Sequence, residues 1–335
     1  MSGCAIRRIT GVLAALSLCL ASSLAVADWK PSQPIEFIVT AGPGGGTDNF
    51  ARTIQSIVTK HRLIDQPIVV LNKGGGSGAE GFQYGKGPAG DAYKVTFATN
   101  NEYLLPLIAK LSWKGDDFTP VAAMAVDEFI LWVNGKSDFK TAKAYIDAAK
   151  AKPDTLKMGG SQSKDTDQTL TSEITAATGA KFLYVPYKSG GEAAVQLAGG
   201  HIDSNTNNPS ESIGQWKGGL VKPLCVFSSK RLAQGPKITD TMAWSDIPTC
   251  AESGIPIEQY QQPRTVWLPK GAPADVVAYY VSVLEKVRAT PEWKEYIERS
   301  AQTDRFLTGA ELRNFMAQDE QKARKVFQTE GWLIQ

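Results

Sequence analysis

The most informative residues for chemistry form a glycine-rich loop between Thr40 and Asp48. The loop follows an apolar run and opens a segment with helical spacing. Glycines let the backbone approach a ligand closely, and the unpaired N–H groups and positive dipole end of a helix start favour an anion. We therefore predict a carboxylate or phosphate site, with Thr47 or Asp48 as helix cap. Its candidate residues are Gly44, Gly45, Gly46, Thr47 and Asp48. A glycine-rich turn without a ligand is the alternative.

Polar loops follow other predicted strands in both halves of the chain. Ligands of parallel α/β sheets bind at the carboxyl ends of the strands, so this recurrence favours a shared cleft. The candidate contacts in these loops are Asn100, Asn101, Ser161, Gln162, Ser163, Thr166, Tyr187, Lys188, Ser189, Gly190 and Asn207. The Lys188 ammonium can pair with a carboxylate, although a solvated lysine fits equally well. Arg264 is expected in a connection between elements, where an ion pair at the surface fits better than the alternative, a contact with the cleft.

Nucleotide binding is disfavoured by the details of the glycine loops. A phosphate-binding P-loop requires Gly-Lys-Ser/Thr, whereas this loop ends Gly46-Thr47-Asp48. Gly76, Gly78 and Gly81 match GxGxxG after a strand, but such glycine density produces that spacing by chance. We therefore expect no cofactor.

Catalysis is not expected either. The chain has no Gly-x-Ser-x-Gly elbow, and its two histidines, His61 and His201, leave little for a Ser-His-Asp arrangement. Asp165 and Asp167 are spaced like the paired carboxylates of a hydrolase, but capping of a helix explains them better. No cluster has metal-ligand spacing, so no metal is expected. A hydrolase of an anionic small molecule stays as the alternative function.

The segments that position these loops alternate between strands and helices. Strands are predicted at 35–40, 68–71, 95–98, 129–133, 156–158, 181–185 and 220–227. Helices are predicted after the glycine loop, at 103–111 and 141–151, from about 167, after 191, and at 274–288, 292–299 and 310–329. This order is typical of an α/β fold with parallel sheets and crossover helices.

The alternation restarts after residue 127, which predicts two lobes with a cleft between them. We place the first lobe at 28–127, the second at 128–249, and the return to the first lobe, with the C-terminal helices, at 250–335. The strand at 220–227 is expected to lead back toward the first lobe. The amphipathic C-terminal helices are expected to pack on that lobe.

The first 27 residues have the features of a secretory signal peptide, with Arg7 and Arg8 before an apolar run and a small-x-small end at Ala27. Removing them leaves 34 basic and 34 acidic side chains, since they hold two of the 36 Lys and Arg and no acid. This balance argues against nucleic acid and a polybasic membrane surface as partners. In an oxidising compartment Cys225 and Cys250 either form a disulfide or act as small buried hydrophobes.

Several longer motifs resemble the tripartite tricarboxylate transporter receptors, the Bug-type or TctC-like periplasmic binding proteins. These motifs are 42–48 with Ala51-Arg52, 185–191, 200–203, 247–254 and 268–273. The resemblance implies a two-lobed type II periplasmic binding protein fold that closes on a small carboxylate, held by the loops 44–48 and 187–191. It also implies delivery to a membrane permease of a large and a small subunit. We expect the receptor to be a monomer.

Two departures from the family pattern leave the ligand class open. Cys250 replaces the usual apolar or polar residue, and the polar segment 205–208 replaces a more apolar stretch. The candidates are di- and tricarboxylates, amino acids and aromatic acids. On closure, Ser161, Ser189, Gly190 and Asn207 are expected to complete a site begun by the N–H groups of 44–47. Handing the ligand to a signalling partner instead of a transporter also stays open.

Overall fold

The computed structural model describes residues 29–334, so the predicted signal peptide lies outside the described residues. Two sheets with apolar cores on their faces form two lobes, which confirms the predicted α/β class. The strands are β1 (Ile35–Val39), β2 (Ile68–Asn72), β3 (Lys94–Ala98), β4 (Phe118–Glu128), β5 (Ile130–Asn134), β6 (Lys157–Ser161), β7 (Leu183–Tyr187), β8 (Ser204–Asn207), β9 (Val221–Val226), β10 (Gln261–Pro269) and β11 (Thr303–Leu307). The helices are α1 (Gly46–Lys60), α2 (Ala79–Gly85), α3 (Asn101–Leu104), α4 (Ala142–Ala151), α5 (Thr166–Thr178), α6 (Gly190–Ala198), α7 (Pro209–Lys217), α8 (Ala274–Ala289), α9 (Pro291–Ser300) and α10 (Gly309–Thr329).

The first lobe is built on a six-stranded sheet with the order β11-β4-β10-β3-β1-β2. β1 runs parallel to β2 and β3, whereas β10 runs antiparallel to β3 and β4. Phe50, Ile54 and Val58 lie four residues apart on one face of α1 and pack into the core around β1. This packing fixes the glycine loop, residues 40–48, at the carboxyl end of β1.

The C-terminal helices pack on the first lobe, as their amphipathic faces predicted. Val283 and Val287 of α8 join the core that contains β1 and β4. Phe327 of α10 packs with Trp113 and Phe118 in another core of the same lobe. Because the sheet is covered in this way, β10 is buried along nearly its whole length.

The second lobe is built on a five-stranded sheet with the order β7-β6-β8-β5-β9. β6 is parallel to β7 and β8, and β5 is antiparallel to β8 and β9. Tyr145 of α4 and Leu170 of α5 pack in one core of this lobe. A fully buried disulfide joins Cys225 in β9 to Cys250, which decides between the two alternatives that the sequence left open.

The chain crosses from the first lobe to the second at Glu128, where β4 ends and β5 follows almost directly. It returns between Ile255, which packs in the core of the second lobe, and Gln261, where β10 begins in the first sheet. The lobe limits at 127 and 249 stay a prediction.

Two predictions about elements are wrong. The helix predicted at 103–111 is the four-residue α3 and a 3₁₀ turn at Leu105–Leu107, because Pro106 has no N–H to donate within a helix. The strand predicted at 220–227 pairs with β5 inside the second sheet and does not lead directly back to the first lobe. None of the helices between residues 29 and 334 combines the length and the apolar composition that crossing a membrane requires.

Candidate ligand-binding site

A small cavity lies between the lobes, where polar loops at the ends of both sheets meet. Its volume is about 30 Å³, close to the volume of one water molecule in the liquid. This volume is too small for a molecule of several carbon atoms. The cavity is lined by Thr40, Ala41, Gly45, Gly46, Thr47, Thr99, Asn101, Ser161, Gln162, Asp165, Ser189, Gly190, Asn208, Glu211, Gln262 and Arg264.

Hydrogen bonds across the cleft hold the lobes closed. They join Gly42 N–H to Lys188 O (3.4 Å), Gly46 N–H to Glu211 Oε1 (2.7 Å), Ser77 Oγ to Ser163 O (3.1 Å), Gln162 Nε2 to Gly74 O (3.2 Å), Thr166 Oγ1 to Asn100 Oδ1 (3.1 Å) and Arg264 Nη2 to Asn208 Oδ1 (3.0 Å). The two lobes are therefore in direct contact across the cleft.

The glycine loop places the start of α1 at the cavity. Gly44 adopts φ +76°, in the left-handed region that favours glycine, and its N–H donates to Asp48 Oδ2 at 2.9 Å. Asp48 Oδ1 in turn accepts from Arg52 Nε at 2.8 Å and from Asn72 Nδ2 at 2.9 Å. The Asp48 side chain thus braces its own loop. Gly45 is the N-cap residue of α1 and provides no side chain to cap it, so the predicted cap at Thr47 or Asp48 is wrong.

Glu211 provides the acceptor that the start of α1 lacks. This residue lies in the first turn of α7, in the second lobe, and its Oε1 accepts the N–H of Gly46 at 2.7 Å. A carboxylate at a helix N-terminus is favoured by the exposed N–H donors and the dipole. Burial raises the pKa of Glu211, which the Arg264 charge and the Gly46 N–H oppose. A carboxylate of the chain itself therefore occupies a donor predicted for a ligand.

Arg264 is the buried cation of the site. It lies in the middle of β10 with 1 % of its surface exposed, pairs with the fully buried Asp127, and donates from Nη1 to Thr47 Oγ1 at 2.8 Å. The expected surface ion pair is wrong, because β10 is a central strand whose faces are covered. Gly46 makes room for the guanidinium, since a methyl group on Gly46 would lie 2.1 Å from Arg264 Nη2.

The loop between β6 and α5 forms one part of the second lobe's face. Asp165 caps α5 by accepting the Thr166 N–H at 2.8 Å, which confirms the helix-cap interpretation of this residue. Burial raises the pKa of Asp165 to about 6, although the bonds from Thr166 oppose the shift. Among the lining residues, Arg264 is thus the one cation beside two acids, Asp165 and Glu211, and Asp127 already pairs with it.

The loop between β7 and α6 forms the other part. Ser189 caps α6, and its Oγ accepts the Glu192 N–H at 3.2 Å. The adjacent Asn207 is fully buried and donates from Nδ2 to Gly190 O at 2.7 Å. Its Oδ1 has no hydrogen-bond partner among the described residues. A methyl group on Gly190 would lie 2.5 Å from this oxygen and 2.1 Å from Glu211 Oε2, so two acceptors flank Gly190.

Half of the sequence-predicted site residues line this cavity. They are Gly45, Gly46, Thr47, Asn101, Ser161, Gln162, Ser189 and Gly190. Asn100 and Thr166 line a larger neighbouring cavity of about 580 Å³, and Ser163, Tyr187 and Lys188 line an open groove beside the glycine loops. The other three predicted residues, Gly44, Asp48 and Asn207, line neither of these cavities nor the groove. The role of the whole set as ligand contacts stays a prediction.

Sequence reasoning did not assign several lining residues to the site. They are Thr40, Ala41, Thr99, Asp165, Asn208, Glu211, Gln262 and Arg264. Glu211 follows Pro209, and proline is favoured at the first position of a helix, so an acid in the first turn of that helix was an available signal. Arg264 gave no such signal, because a Gln-Gln-Pro-Arg segment lacks the usual composition of a strand.

Comparison with known proteins identifies the group to which this architecture is similar. The family model described as "Tripartite tricarboxylate transporter family receptor" matches residues 50–331. The "UPF0065 protein in gbd 5'region" of Cupriavidus necator is 28% identical over 328 residues, which is 96% of this chain and 95% of the relative. The similarity therefore extends over both lobes.

Solved structures show the same fold. One described as "Structure of a periplasmic transporter" superposes with a TM-score of 0.82 and 26% identity, covering 90% of this chain and 98% of the other. A protein of R. palustris solved with adipate gives a TM-score of 0.81 and 23% identity, covering 90% and 98%. At that identity the second likeness supports the fold alone.

Proposed function

This chain belongs to the tripartite tricarboxylate transporter receptor family, and from that membership we propose that it captures a small organic carboxylate in the cleft between its lobes. We further propose that it works in the periplasm as a monomer and delivers the ligand to a membrane permease of the tripartite tricarboxylate type. The ligand contacts are then the lining residues of the cavity, with Gly45, Gly46 and Thr47 on one lobe and Ser161, Ser189 and Gly190 on the other.

The observation that carries the proposal is the convergence of anion-binding groups on one closed cavity. The start of α1 directs the Gly46 N–H into it, and Arg264 reaches it from β10. The start of α6 faces them across the cleft, with Gly190 in the lining. Helix starts and a guanidinium are groups that proteins use to bind carboxylates.

Closure provides the mechanism of capture. In the open protein the bonds across the cleft are broken, and the ligand carboxylate reaches the Gly46 N–H and the Arg264 guanidinium. Contacts with Ser161 and Ser189 then favour closure, because the ligand replaces or adds to the bonds that hold the lobes together. Ligand binding shifts the population toward the closed form, and the permease distinguishes that form from the open one.

A thermal-shift screen of the ligand-stripped mature protein tests the proposal. The panel contains linear dicarboxylates, citrate, amino acids and aromatic mono- and dicarboxylates, each beside its neutral amide. A compound that binds only the folded state raises the melting temperature by mass action. We expect one carboxylate class to shift it by several degrees and the matched amides to leave it unchanged. Equal shifts by acids and amides, or no shift with any acid, would contradict a carboxylate receptor.

Recovery of the ligand separates a receptor from an enzyme. The bound compound, incubated with a stoichiometric amount of protein and then released by denaturation, should be chemically intact by mass spectrometry. Neither histidine lines the cavity; His61 bonds to Glu292 on the outer surface and His201 is exposed. A hydrolysed or otherwise converted product would contradict the receptor role.

Uptake measurements test the partner. We expect cells that express the receptor together with its two-subunit permease to accumulate the radiolabelled ligand, and cells that lack the large permease subunit to lose that uptake. Normal uptake without the permease would contradict delivery, and would favour a protein that passes its ligand to another partner.

A further inference from the structure

A large cavity lies beside Glu128, where the chain crosses between the lobes, and we propose that it is a second ligand site. This outer cavity, between the loop 230–238 and α9, has a volume of about 710 Å³. The proposed ligand is a ring compound with a hydroxyl group at one end and an anionic group at the other. None of the described residues lines both the outer cavity and the small cavity of the cleft, so the inference does not depend on the proposed function.

The walls of the outer cavity are apolar and come from both lobes. Leu232 and Ile238 pack against the core around β5, to which Trp244 belongs. Ile297 of α9 packs against the core around β1. Sites for drug-sized ligands measure roughly 300 to 1,000 Å³ and have mostly hydrophobic walls. The outer cavity therefore has the size and the surface that a small ring compound requires.

Trp244 gives this wall a hydrogen-bond donor that no protein group uses. Its side chain is buried, with the ring centroid 4.8 Å from that of Trp216, and its Nε1 has no partner in the part of the chain that the structure describes. The same is true of Oε2 of the buried Glu128, whereas Oε1 accepts from Gln261. Buried polar groups without hydrogen bonds cost stability. A hydroxyl both accepts and donates, so it suits a wall with one spare donor and one spare acceptor.

The rim of the outer cavity is basic. Its exposed charged residues are six bases and three acids, namely Lys217, Lys230, Arg231, Lys237, Lys294 and Arg299 against Glu295, Glu298 and Asp304. Arg231 pairs with Glu252 and Asp304 with Arg288, two residues outside the lining, which leaves five bases and two acids. A local excess of positive charge attracts anions. The anionic end of the ligand therefore belongs at the rim.

Calorimetric titration of the mature protein with three related probes tests the inference. 6-Hydroxynaphthalene-2-sulfonate carries both groups, naphthalene-2-sulfonate lacks the hydroxyl, and 2-naphthol lacks the anion. We expect one site for the first probe. Loss of the hydroxyl should weaken binding about fivefold, and loss of the charged group about tenfold.

A tryptophan variant tests the hydroxyl contact. Trp244→Phe keeps an aromatic ring and removes the N–H, so we expect the fivefold advantage of the hydroxyl to disappear. Trp113→Phe is the matched control, because Trp113 Nε1 is also buried without a partner among the described residues, but its ring packs with Phe118 in another core. This control should keep the advantage of the hydroxyl.

Lysine variants test the rim. The double variant Lys230→Gln, Lys294→Gln should reduce the advantage of the sulfonate and leave the affinity for 2-naphthol unchanged. Lys286→Gln, Lys325→Gln removes two charges at exposed positions outside the lining and should change neither affinity.

Four results would overturn the proposal. One is that no probe binds the folded protein, and another is that 2-naphthol binds as tightly as 6-hydroxynaphthalene-2-sulfonate. A third is wild-type affinity for all three probes in both Trp244→Phe and the double variant at the rim, which would place the probes elsewhere. The fourth is a dimer in analytical ultracentrifugation that dissociates in Leu232→Glu, which would assign the outer cavity to a second copy of the chain.

Discussion

The two lobes present helix starts to the cleft that are capped in different ways. In the second lobe, Ser189 caps its own helix by accepting the Glu192 N–H at 3.2 Å. In the first lobe, Gly45 has no side chain for that purpose, and the Gly46 N–H is bonded by Glu211 of the other lobe at 2.7 Å. The second lobe's loop is therefore complete by itself, whereas the first lobe's loop is completed only across the cleft.

The same contrast appears in the charges that each lobe brings. Arg264 and the start of α1 make the first lobe's face positive, although Asp127 offsets the arginine. Asp165 and Glu211 make the second lobe's face acidic. In the closed protein without a ligand, the positive face of the first lobe and the acidic face of the second lobe therefore partly neutralise each other.

Removing the cation of the first lobe should have the largest effect on stability. Arg264→Met leaves Asp127 buried without its ion-pair partner, which typically costs about 3 to 5 kcal/mol. We expect a loss of that size in the free energy of unfolding, measured by urea denaturation. Arg288→Met is the matched control, because its pair with Asp304 is partly exposed and such pairs contribute roughly 0 to 1 kcal/mol. Equal losses for the two variants would show that burial of Arg264 does not matter.

Removing the disulfide should destabilise the second lobe and leave the first lobe unchanged. Cys225 and Cys250 are 25 residues apart, and closing a loop of this length stabilises a fold by about 3 kcal/mol. The double variant Cys225→Ala, Cys250→Ala should increase amide hydrogen exchange in β5 and β9, while β1 and β3 of the first lobe keep their protection. Equal increases in hydrogen exchange in the two sheets would indicate that the disulfide does not stabilise the second lobe selectively.

Glu128, at the crossing between the lobes, makes the stability of the fold depend on pH. Burial raises the pKa of Glu128 from 4.5 to about 7, and the charge of Asp127 adds to the shift while a bond from Gln261 opposes it. Between these values the folded state holds a proton that the unfolded state has released. The stability that this proton provides is therefore fully present below pH 4.5 and is lost as the pH rises toward 7.

Glu128→Gln removes this titration, whose full contribution is roughly 3 kcal/mol. We expect the melting temperature of the wild-type protein to fall between pH 5 and 7 and the variant to show a smaller fall. Some fall remains, because burial also raises the pKa of Glu173 to about 7. Glu285→Gln, at an exposed position, should retain the full dependence, and an unchanged slope in Glu128→Gln would refute the assignment.

The smallest effect should come from the self-capped helix. Ser189→Ala removes the acceptor for the Glu192 N–H, and loss of such a cap typically costs about 1 kcal/mol. We expect faster hydrogen exchange in the first turn of α6 and no change in α1. Ser210→Ala, whose hydroxyl bonds to no group between residues 29 and 334, serves as the control. Faster hydrogen exchange in both α1 and α6 would mean that the N-terminal turns of these two helices are not stabilised independently.

The sequence predicts the elements whose pattern is local. β1 is a continuous apolar run, and α1 has apolar residues four apart, so both are recognisable without knowledge of their partners. β4 and β10 are different, because β4 begins Phe-Thr-Pro and β10 begins Gln-Gln-Pro-Arg. Their pairing and burial in the middle of the sheet override this composition.

The site divides in the same way. The glycine loop is recognisable from glycine chemistry and from its place between a strand and a helix. The contacts made by Glu211 and Arg264 are not, because Glu211 lies 165 residues from Gly46 and Arg264 lies 217 residues from Thr47. Only the topology creates these pairs, because it brings the two lobes together at Glu211 and places β10 beside α1 within the first lobe.

The most direct test of the receptor account is a calorimetric titration of the wild-type protein and of Gly45→Val with the carboxylate that gives the largest thermal shift. A side chain on Gly45 begins with a methyl group 3.0 Å from Ser189 Cβ, so it should hold the lobes apart without disturbing either core. Gly214→Ala, where an added methyl group meets no atom within 4 Å, is the control. We predict one saturable site in the wild-type protein and the control, and at least a hundredfold weaker binding by Gly45→Val at an unchanged melting temperature. Wild-type affinity in a folded Gly45→Val protein would contradict binding between the two loops.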